Sequence, residues 1–280
     1  MKITIAMDNC VHAPTPYSFK AEHGMSILIK VSDKLILFDT GQSNSIIHNL
    51  SLLGVNPRDL DMIVLSHGHY DHTGGLLSIL DNARKEIPIF LHKDAFLDRY
   101  SVAAGKKFHI GIPYSKEYLE SMGANFVFVE NILEIVPGLF LSGSIPRETD
   151  YEKGDSNLVI EKDGKTIKDP ILDDMALYTI KDNGLIALTG CAHAGIINII
   201  RYGLKVLKTD KLFAIVGGTH LGPASPEQRE STISDLLDAK PAIVAANHCT
   251  GFSMMTRLKD SFGDRFIAAF VGTEIDFHNA

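Results

Sequence analysis

The stretch His67-Gly68-His69-Tyr70-Asp71-His72-Thr73-Gly74-Gly75 decides the fold and the chemistry of this 280-residue chain. Its first six residues include three imidazoles and one carboxylate, which are the side chains that most often bind metal ions. On an extended segment, residues two positions apart project to the same side, so His67 and His69 can approach one ion together. A buried strand pattern (residues 61–66) precedes the stretch, and a helical pattern follows its glycines. The sequence therefore favours a metal-binding loop over a merely solvated polar loop.

Strand and helix patterns extend outward from this loop over most of the chain. The β-rich runs 25–31 and 34–38 are separated by a turn of hairpin length and should pair antiparallel. Residues 92–155 are less regular: we expect a polar helix at 94–100 and an insertion or cap over the whole region. From Asn157 onward, strands alternate with helices again. Strands in both halves with interspersed helices predict an α+β fold, two sheets flanked by helices, in a single domain spanning residues 1–280.

Composition excludes several classes of protein. With 45% hydrophobic and 22% charged residues the chain is not disordered, and its longest apolar stretch, 185–204, is interrupted by polar residues and predicts no membrane span. The net charge of −7 offers no broad basic surface for nucleic acid. Three widely spaced cysteines fit a reducing compartment. We therefore expect a cytoplasmic protein with a small-molecule substrate, and we leave a homo-oligomer open.

The His-x-His-x-Asp-His loop resembles the defining loop of the metallo-β-lactamase superfamily, and Phe38-Asp39-Thr40-Gly41 resembles its first motif. The resemblance implies a four-layer αββα sandwich. It also implies that His67 and His69, with a later histidine, hold one metal, while Asp71 and His72 hold a second. Asp39 would then orient the metal loop as a residue that contacts the ligands. Its alternative role is an N-cap of the following helix, and both roles could hold together.

The later ligands depart from the common pattern of the superfamily. Residues 185–191 look like the motif that carries a further ligand, which is usually Asp but here is Cys191, with His193 two residues beyond. The motif before strand 175–180 normally supplies a histidine, yet Asp173-Asp174 stand there. Three alternatives remain: a carboxylate replaces that histidine, His193 replaces it, or the first metal site is weakened. If no carboxylate binds metal there, we expect Asp174 to support the ligands instead.

Two further histidines compete for the last ligand position. His248 lies nearer the C-terminus, where the resemblance expects that ligand, and His220 would then contact substrate or donate a proton. His23 is a candidate for pointing at the pocket, and Arg147 for binding phosphate. The expected cofactor is one or two divalent ions. A thiolate ligand would favour zinc, with manganese or iron as alternatives.

Within the superfamily, the chain looks most like the branch of 7,8-dihydropterin-6-yl-methyl-4-(β-D-ribofuranosyl)aminobenzene 5'-phosphate synthases, also called dihydropteroate-synthase-like. Segments such as 189–195, 217–221 and 248–251 carry this likeness. The chemistry favours a hydrolase in which a metal activates water, Asp71 orients the nucleophile and His193 or His220 is the general acid. The substrate would be small and phosphorylated or pterin-like. The alternatives are a pterin-condensing synthase that releases pyrophosphate and a metal-dependent ligand-binding protein without turnover.

Overall fold

The protein is described by a computed structural model over residues 1–12, 14–162 and 164–277. The chain divides into two compact units. The first unit comprises Met1–Phe128, Ser156–Asp173 and Phe270–Ala280, and the second comprises Val129–Asp155 and Asp174–Ala269. Of the three sheets formed by the described residues, two lie in the first unit and one lies in the second.

The described residues form eighteen strands and seven α-helices. The strands are β1 (Lys2–Met7), β2 (Ser26–Val31), β3 (Lys34–Phe38), β4 (Met62–Val64), β5 (Ile87–Leu91), β6 (Arg99–Ala103), β7 (Lys106–His109), β8 (Ala124–Phe128), β9 (Leu133–Val136), β10 (Leu139–Leu141), β11 (Leu158–Lys162), β12 (Lys165–Lys168), β13 (Ala176–Lys181), β14 (Gly184–Thr189), β15 (Lys211–Gly218), β16 (Ile243–Asn247), β17 (Phe266–Ala268) and β18 (Glu274–Asp276). The helices are α1 (Ser45–Leu52), α2 (Tyr70–Thr73), α3 (Leu76–Ala83), α4 (Lys116–Ser121), α5 (Ile196–Val206), α6 (Pro226–Ala239) and α7 (Phe252–Phe262). Short 3-10 helices cover Pro57–Asp59, Lys93–Phe96, His248–Thr250 and Gly263–Arg265.

The main sheet of the first unit has seven strands in the order β18-β1-β2-β3-β4-β5-β8. The predicted hairpin is confirmed, because β2 and β3 pair antiparallel with Val31 opposite Lys34. From β3 to β8 the neighbouring strands are parallel. Helices α1 and α3 bury Ile46, Leu50 and Leu76 in the core of this unit. The parallel arrangement brings the carboxyl ends of β3 and β4 to one edge of the sheet, where Asp39 and His67 follow.

A second sheet of the first unit has four strands in the order β12-β11-β6-β7. The helix predicted over 94–100 is wrong: a 3-10 helix ends at Phe96 and β6 begins at Arg99. A segment this short cannot hold a helix by propensity alone. The backbone of β6 instead pairs with both β7 and β11, which satisfies its hydrogen-bonding groups on both sides.

The sheet of the second unit has the order β17-β16-β15-β14-β13-β10-β9. Its strands β14 to β17 are parallel, while β13, β10 and β9 are antiparallel. All six residues of β14 are buried, as expected for a strand covered on both faces. Helices α5, α6 and α7 contribute apolar side chains to the core of this unit. The carboxyl ends of β14, β15 and β16 lead directly into the segments that contain Cys191, His220 and His248.

Mixed sheets combined with helices confirm the predicted α+β class. The region 92–155 is divided between the units, with 92–128 in the first and 129–155 in the second. Its role as an insertion or cap, and the assignment of 1–280 to a single domain, stay predictions. Among the described residues, no helix has both the length and the apolar character needed to span a bilayer.

Candidate metal centre

The His-rich loop of the first unit begins where β4 ends and continues into α2. His67, His69 and His72 are all buried. The Nε2 atom of His67 lies 3.0 Å from Nδ1 of His69, so the two imidazoles approach each other at the start of the loop. Gly68 between them has no room for a side chain, because a Cβ there would lie 1.9 Å from the carbonyl oxygen of Ala95. The local packing therefore requires glycine at this position.

Asp39 lies fully buried behind this loop and connects three of its groups. Its Oδ2 atom lies 2.7 Å from Nδ1 of His72 and accepts a 2.7 Å hydrogen bond from the hydroxyl of Ser66. Its Oδ1 atom accepts the backbone N–H of Ser66 at 2.7 Å. The Ser66 hydroxyl also lies 2.9 Å from Nδ1 of His67. These contacts engage the Nδ1 atoms of His67 and His72 and direct their Nε2 atoms toward the opposite side of each ring.

Asp71 supplies the carboxylate of the loop and is buried. Its Oδ2 atom lies 3.7 Å from Nε2 of His72 and 3.2 Å from Nε2 of His23. The His23 side chain is 55% exposed, so it links this carboxylate to solvent. The backbone oxygen of Asp71 accepts the N–H of Met25, which fixes the start of β2 beside the loop. The structure thus brings His23 and Asp71 together, while the role of His23 toward substrate stays a prediction.

The loop of the first unit has a donor set that fits a divalent metal. Three imidazoles and one carboxylate are buried within six residues, and burying such groups is unfavourable unless they are paired or bind a metal. Nitrogen and oxygen donors of this kind suit zinc, manganese and iron. Which of His67, His69, Asp71 and His72 bind metal, and how many ions bind, stays a prediction.

A second cluster of ligand-type residues lies within the second unit. The ligand atoms of Cys191, His193 and His220 lie within 4.8 Å of one another, and so do those of Cys191, His248 and Cys249. The rings of His193 and His220 have centroids 4.2 Å apart. The sequence placed Cys191, His193, His220 and His248 at strand ends, and the structure brings these four residues into overlapping groups. His220 and His248 both stay candidates for the last ligand, because each lies in a group that contains Cys191.

Cys249 joins the segments that follow three parallel strands of the second unit. Its sulfur accepts the backbone N–H of His220 at 3.3 Å and lies 3.3 Å from the carbonyl oxygen of Cys191. Burial raises the pKa of Cys249, but hydrogen bonds with Cys191 and His220 and the charge of His248 outweigh burial and lower that pKa well below its usual value. Burial lowers the pKa of His220, but Cys249 outweighs this effect and raises it. The sequence assigned no role to Cys249.

Asp173 and Asp174 are consecutive in sequence but serve different loops. In the first unit, Oδ2 of Asp173 accepts the N–H of Gly68 at 2.8 Å and its Oδ1 accepts a 2.6 Å hydrogen bond from Arg99. Burial raises the pKa of Asp173, while Arg99 and the Gly68 N–H act in the opposite direction. In the second unit, Oδ2 of Asp174 accepts the N–H of Ala194 at 2.7 Å. Each carboxylate therefore holds the backbone beside a predicted ligand.

Arg147 is exposed in the second unit, on the segment between β10 and β11. Two backbone N–H groups that follow it, those of Glu148 and Thr149, donate to the side-chain oxygen of Asn198. This tether fixes the backbone beside Arg147. A role for Arg147 in phosphate binding stays a prediction.

Glu152 belongs to the same segment, and no sequence pattern singles it out. Its buried carboxylate accepts the N–H of Ile197 at 2.9 Å and that of Asn198 at 3.0 Å, which caps the first turn of α5. A Cβ at Gly195 would lie 2.3 Å from this carboxylate. Glu152 therefore fixes the turn that follows the Cys191–His193 segment. Its partner N–H groups lie 45 and 46 residues away, so no local sequence signal could reveal it.

Glu152→Gln is expected to change how stability depends on pH. Burial raises the pKa of Glu152 despite the two backbone N–H groups, so ionising this group weakens the folded state relative to the unfolded state. The wild-type contribution is fully present below the usual glutamate pKa of about 4 and is lost as pH rises through the raised pKa of the folded state, whereas the Gln variant has no such dependence. Denaturant unfolding from about pH 4 upward should therefore show that the free energy of unfolding of the variant rises relative to that of the wild type. A difference in stability between the two proteins that does not change with pH would contradict this expectation.

Comparisons with known proteins show which family this chain is similar to. The family model of the metallo-β-lactamase superfamily matches residues 20–160. The chain is similar to a 7,8-dihydropterin-6-methyl-4-(β-D-ribofuranosyl)-aminobenzene-5'-phosphate synthase of Methanocaldococcus jannaschii, with 34% identity over 270 residues that cover 92% of this chain and 91% of that protein. An uncharacterised protein of the same organism is 38% identical over 272 residues, covering 96% and 98% of the two chains.

A solved structure extends the likeness to three dimensions. The crystal structure of a metal-dependent hydrolase of the β-lactamase superfamily superposes with a TM-score of 0.80 and 27% sequence identity, covering 99% of this chain and 98% of the other. The predicted fold is thereby confirmed. With a family model over half of its length and full-length relatives above 30% identity, this chain is an enzyme that belongs to the metallo-β-lactamase superfamily.

Proposed function

We propose that this enzyme is a metal-dependent hydrolase that acts on a small, phosphorylated or pterin-like substrate. The observation that carries the proposal is the buried loop His67–His72, in which Asp39 and Ser66 orient the imidazoles. The likeness to a metal-dependent hydrolase across 99% of the chain supports it. A cytoplasmic location stays a prediction from composition, and a homo-oligomer stays open.

A divalent metal, when bound, would lower the pKa of a water molecule toward about 7 and polarise a phosphoryl or carbonyl oxygen. We assign the ligands as predicted: His67, His69, Asp71, His72, Cys191, His193 and His248. Asp39 holds Nδ1 of His72 and thereby directs Nε2 of that ring to the opposite side, where it would bind the metal. Asp71 would also orient the attacking nucleophile, because its carboxylate is buried and held close to two imidazoles.

The leaving group needs a proton, and the proposed donors are His193 and His220. Their rings lie 4.2 Å apart, so a proton on one is close to the other. His23, half exposed and 3.2 Å from Asp71, is the proposed contact with substrate in the first unit.

A pterin-condensing synthase is the second candidate, and the 34% identical relative favours it. In that reaction an amine replaces water as the nucleophile and pyrophosphate leaves. However, the same organism contains a second relative that is 38% identical to this chain. Two such proteins in one organism suggest that members of this group have diverged in function, so we do not transfer the synthase reaction directly.

The test compares products released with and without an amine. The zinc- or manganese-loaded enzyme is incubated with phosphomonoesters, phosphodiesters, a lactone and a pterin diphosphate, each alone and with an aminobenzene ribofuranosyl phosphate. Hydrolysis of one of these compounds without the amine supports the hydrolase. Pyrophosphate release only when the amine is present overturns it in favour of the synthase. Metal retention with no product from any substrate would favour a ligand-binding protein.

A further inference from the structure

A buried ion-pair network of the first unit ends at the metal loop. The guanidinium of Arg99 is only 1% exposed and donates to Oδ2 of Asp169 at 3.0 Å and to Oδ1 of Asp173 at 2.6 Å. The same group donates to the backbone oxygen of Asp94 at 3.1 Å. Asp173 then uses its other oxygen to accept the N–H of Gly68. A continuous chain of hydrogen bonds thus runs from Arg99 to the residue between His67 and His69.

Stability alone is a poor explanation for this network. Removing three charged groups from water carries a large desolvation penalty, and apolar residues of similar size often give equal or greater stability in such positions. What the network provides is a rigid carboxylate. Because Arg99 fixes Oδ1 of Asp173, its Oδ2 has one direction in which to accept the Gly68 N–H.

A second contact, with the backbone of Ala95, also constrains Gly68. Its Cα faces the carbonyl group of Ala95 so closely that a Cβ would lie 1.9 Å from the oxygen. Ala95 follows Asp94, whose backbone oxygen binds Arg99. The peptide between the two imidazoles is therefore constrained both by the 3-10 helix Lys93–Phe96 and by Asp173. A shift of this peptide would move both rings, because they are attached to its two neighbours.

We propose that Asp173, oriented by Arg99, is a positioning residue that fixes the peptide of Gly68 and so sets the geometry with which His67 and His69 bind metal. This inference rests on the proposed metal-dependent function. It assigns Asp173 a role behind the ligands, where the sequence had left open a carboxylate ligand. Residues that orient ligands in this way typically affect metal affinity by about 10- to 100-fold when they are removed.

Asp173→Asn tests the proposal, and Asp169→Asn is its matched control. Both substitutions remove one carboxylate charge beside Arg99, but only Asp173 contacts Gly68. An asparagine at 173 cannot accept from Arg99 and from Gly68 with both of its terminal atoms, so one of the two hydrogen bonds is lost. Zinc dissociation constants are measured on the full chain by competition with a chelating dye. Visible spectra of the cobalt-substituted proteins report the ligand geometry.

We expect Asp173→Asn to weaken zinc binding by about 10- to 100-fold and to change the cobalt spectrum, while Asp169→Asn leaves both nearly unchanged. Thermal melting shows that each variant is folded. If Asp173→Asn does not fold, Arg99→Lys replaces it, because a single ammonium cannot reproduce the fork that binds both aspartates. Equal effects of the 169 and 173 variants, or an unchanged spectrum in Asp173→Asn, would overturn the positioning role alone. A wild-type protein that binds no zinc would overturn the proposed function as well.

Discussion

His69→Ala and Asp71→Ala are each expected to lower the turnover of the metal-loaded enzyme on the order of a thousandfold or more, while leaving the protein folded. Both side chains are buried in the loop, and Asp71 lies within 3.7 Å of two imidazoles. Removing either one takes a proposed donor away from the loop. The measurement is kcat/KM on whichever substrate of the panel is turned over, with unfolding monitored by circular dichroism.

The controls for this prediction are His109→Ala and Asp98→Ala. These residues have side chains that are 43% and 78% exposed, and they are not among the predicted site residues. Each should keep kcat/KM within about twofold of the wild-type value, as expected for exposed positions outside a site. Turnover that survives in both His69→Ala and Asp71→Ala would show that the reaction does not use this loop.

Gly68→Ala is expected to lower the free energy of unfolding by about 3 kcal/mol or more. The added methyl would lie 1.9 Å from the backbone oxygen of Ala95, so one of two backbone segments must move. Protein interiors resist such movement because they are close-packed. The same displacement would disturb the hydrogen bond from Gly68 to Asp173. Urea unfolding at constant metal concentration measures the change.

Gly54→Ala serves as the control for the steric effect. Gly54 has φ of 72°, and a methyl group added there would meet nothing within 4 Å, so only the left-handed backbone penalty of about 1–2 kcal/mol applies. If Gly68→Ala loses no more stability than Gly54→Ala, the close approach between Gly68 and Ala95 is not a constraint on the folded protein.

The fold and the metal loop could be predicted because their signals are local. The loop His67–His72 follows a short buried strand, and both the ligand types and the spacing can be read from consecutive residues. The hairpin of β2 and β3 was predictable for the same reason, since its turn has only two residues. Asp39 was found through its motif, and the structure places it against His72.

The supporting residues could not be predicted, because their contacts join distant parts of the chain. Asp173 stands at a motif position, but its partner Arg99 lies 74 residues away and belongs to no recognisable motif, so the contact between them could not be read from the sequence. The segment around Arg99 was expected to be helical, since its polar residues resemble an exposed helix, but pairing with β7 and β11 determines its conformation. Glu152 was missed because its partners lie in α5. Tertiary contacts decide these positions.

The central claim is that the His-rich loop belongs to a metal centre, and metal analysis tests it most directly. Protein purified without added metal or chelator is analysed for zinc, manganese and iron, together with His69→Ala and Asp71→Ala. We expect about one to two equivalents of metal in the wild-type protein and a clear loss in both variants. Less than about half an equivalent in the wild type, unchanged by either substitution, would contradict the claim.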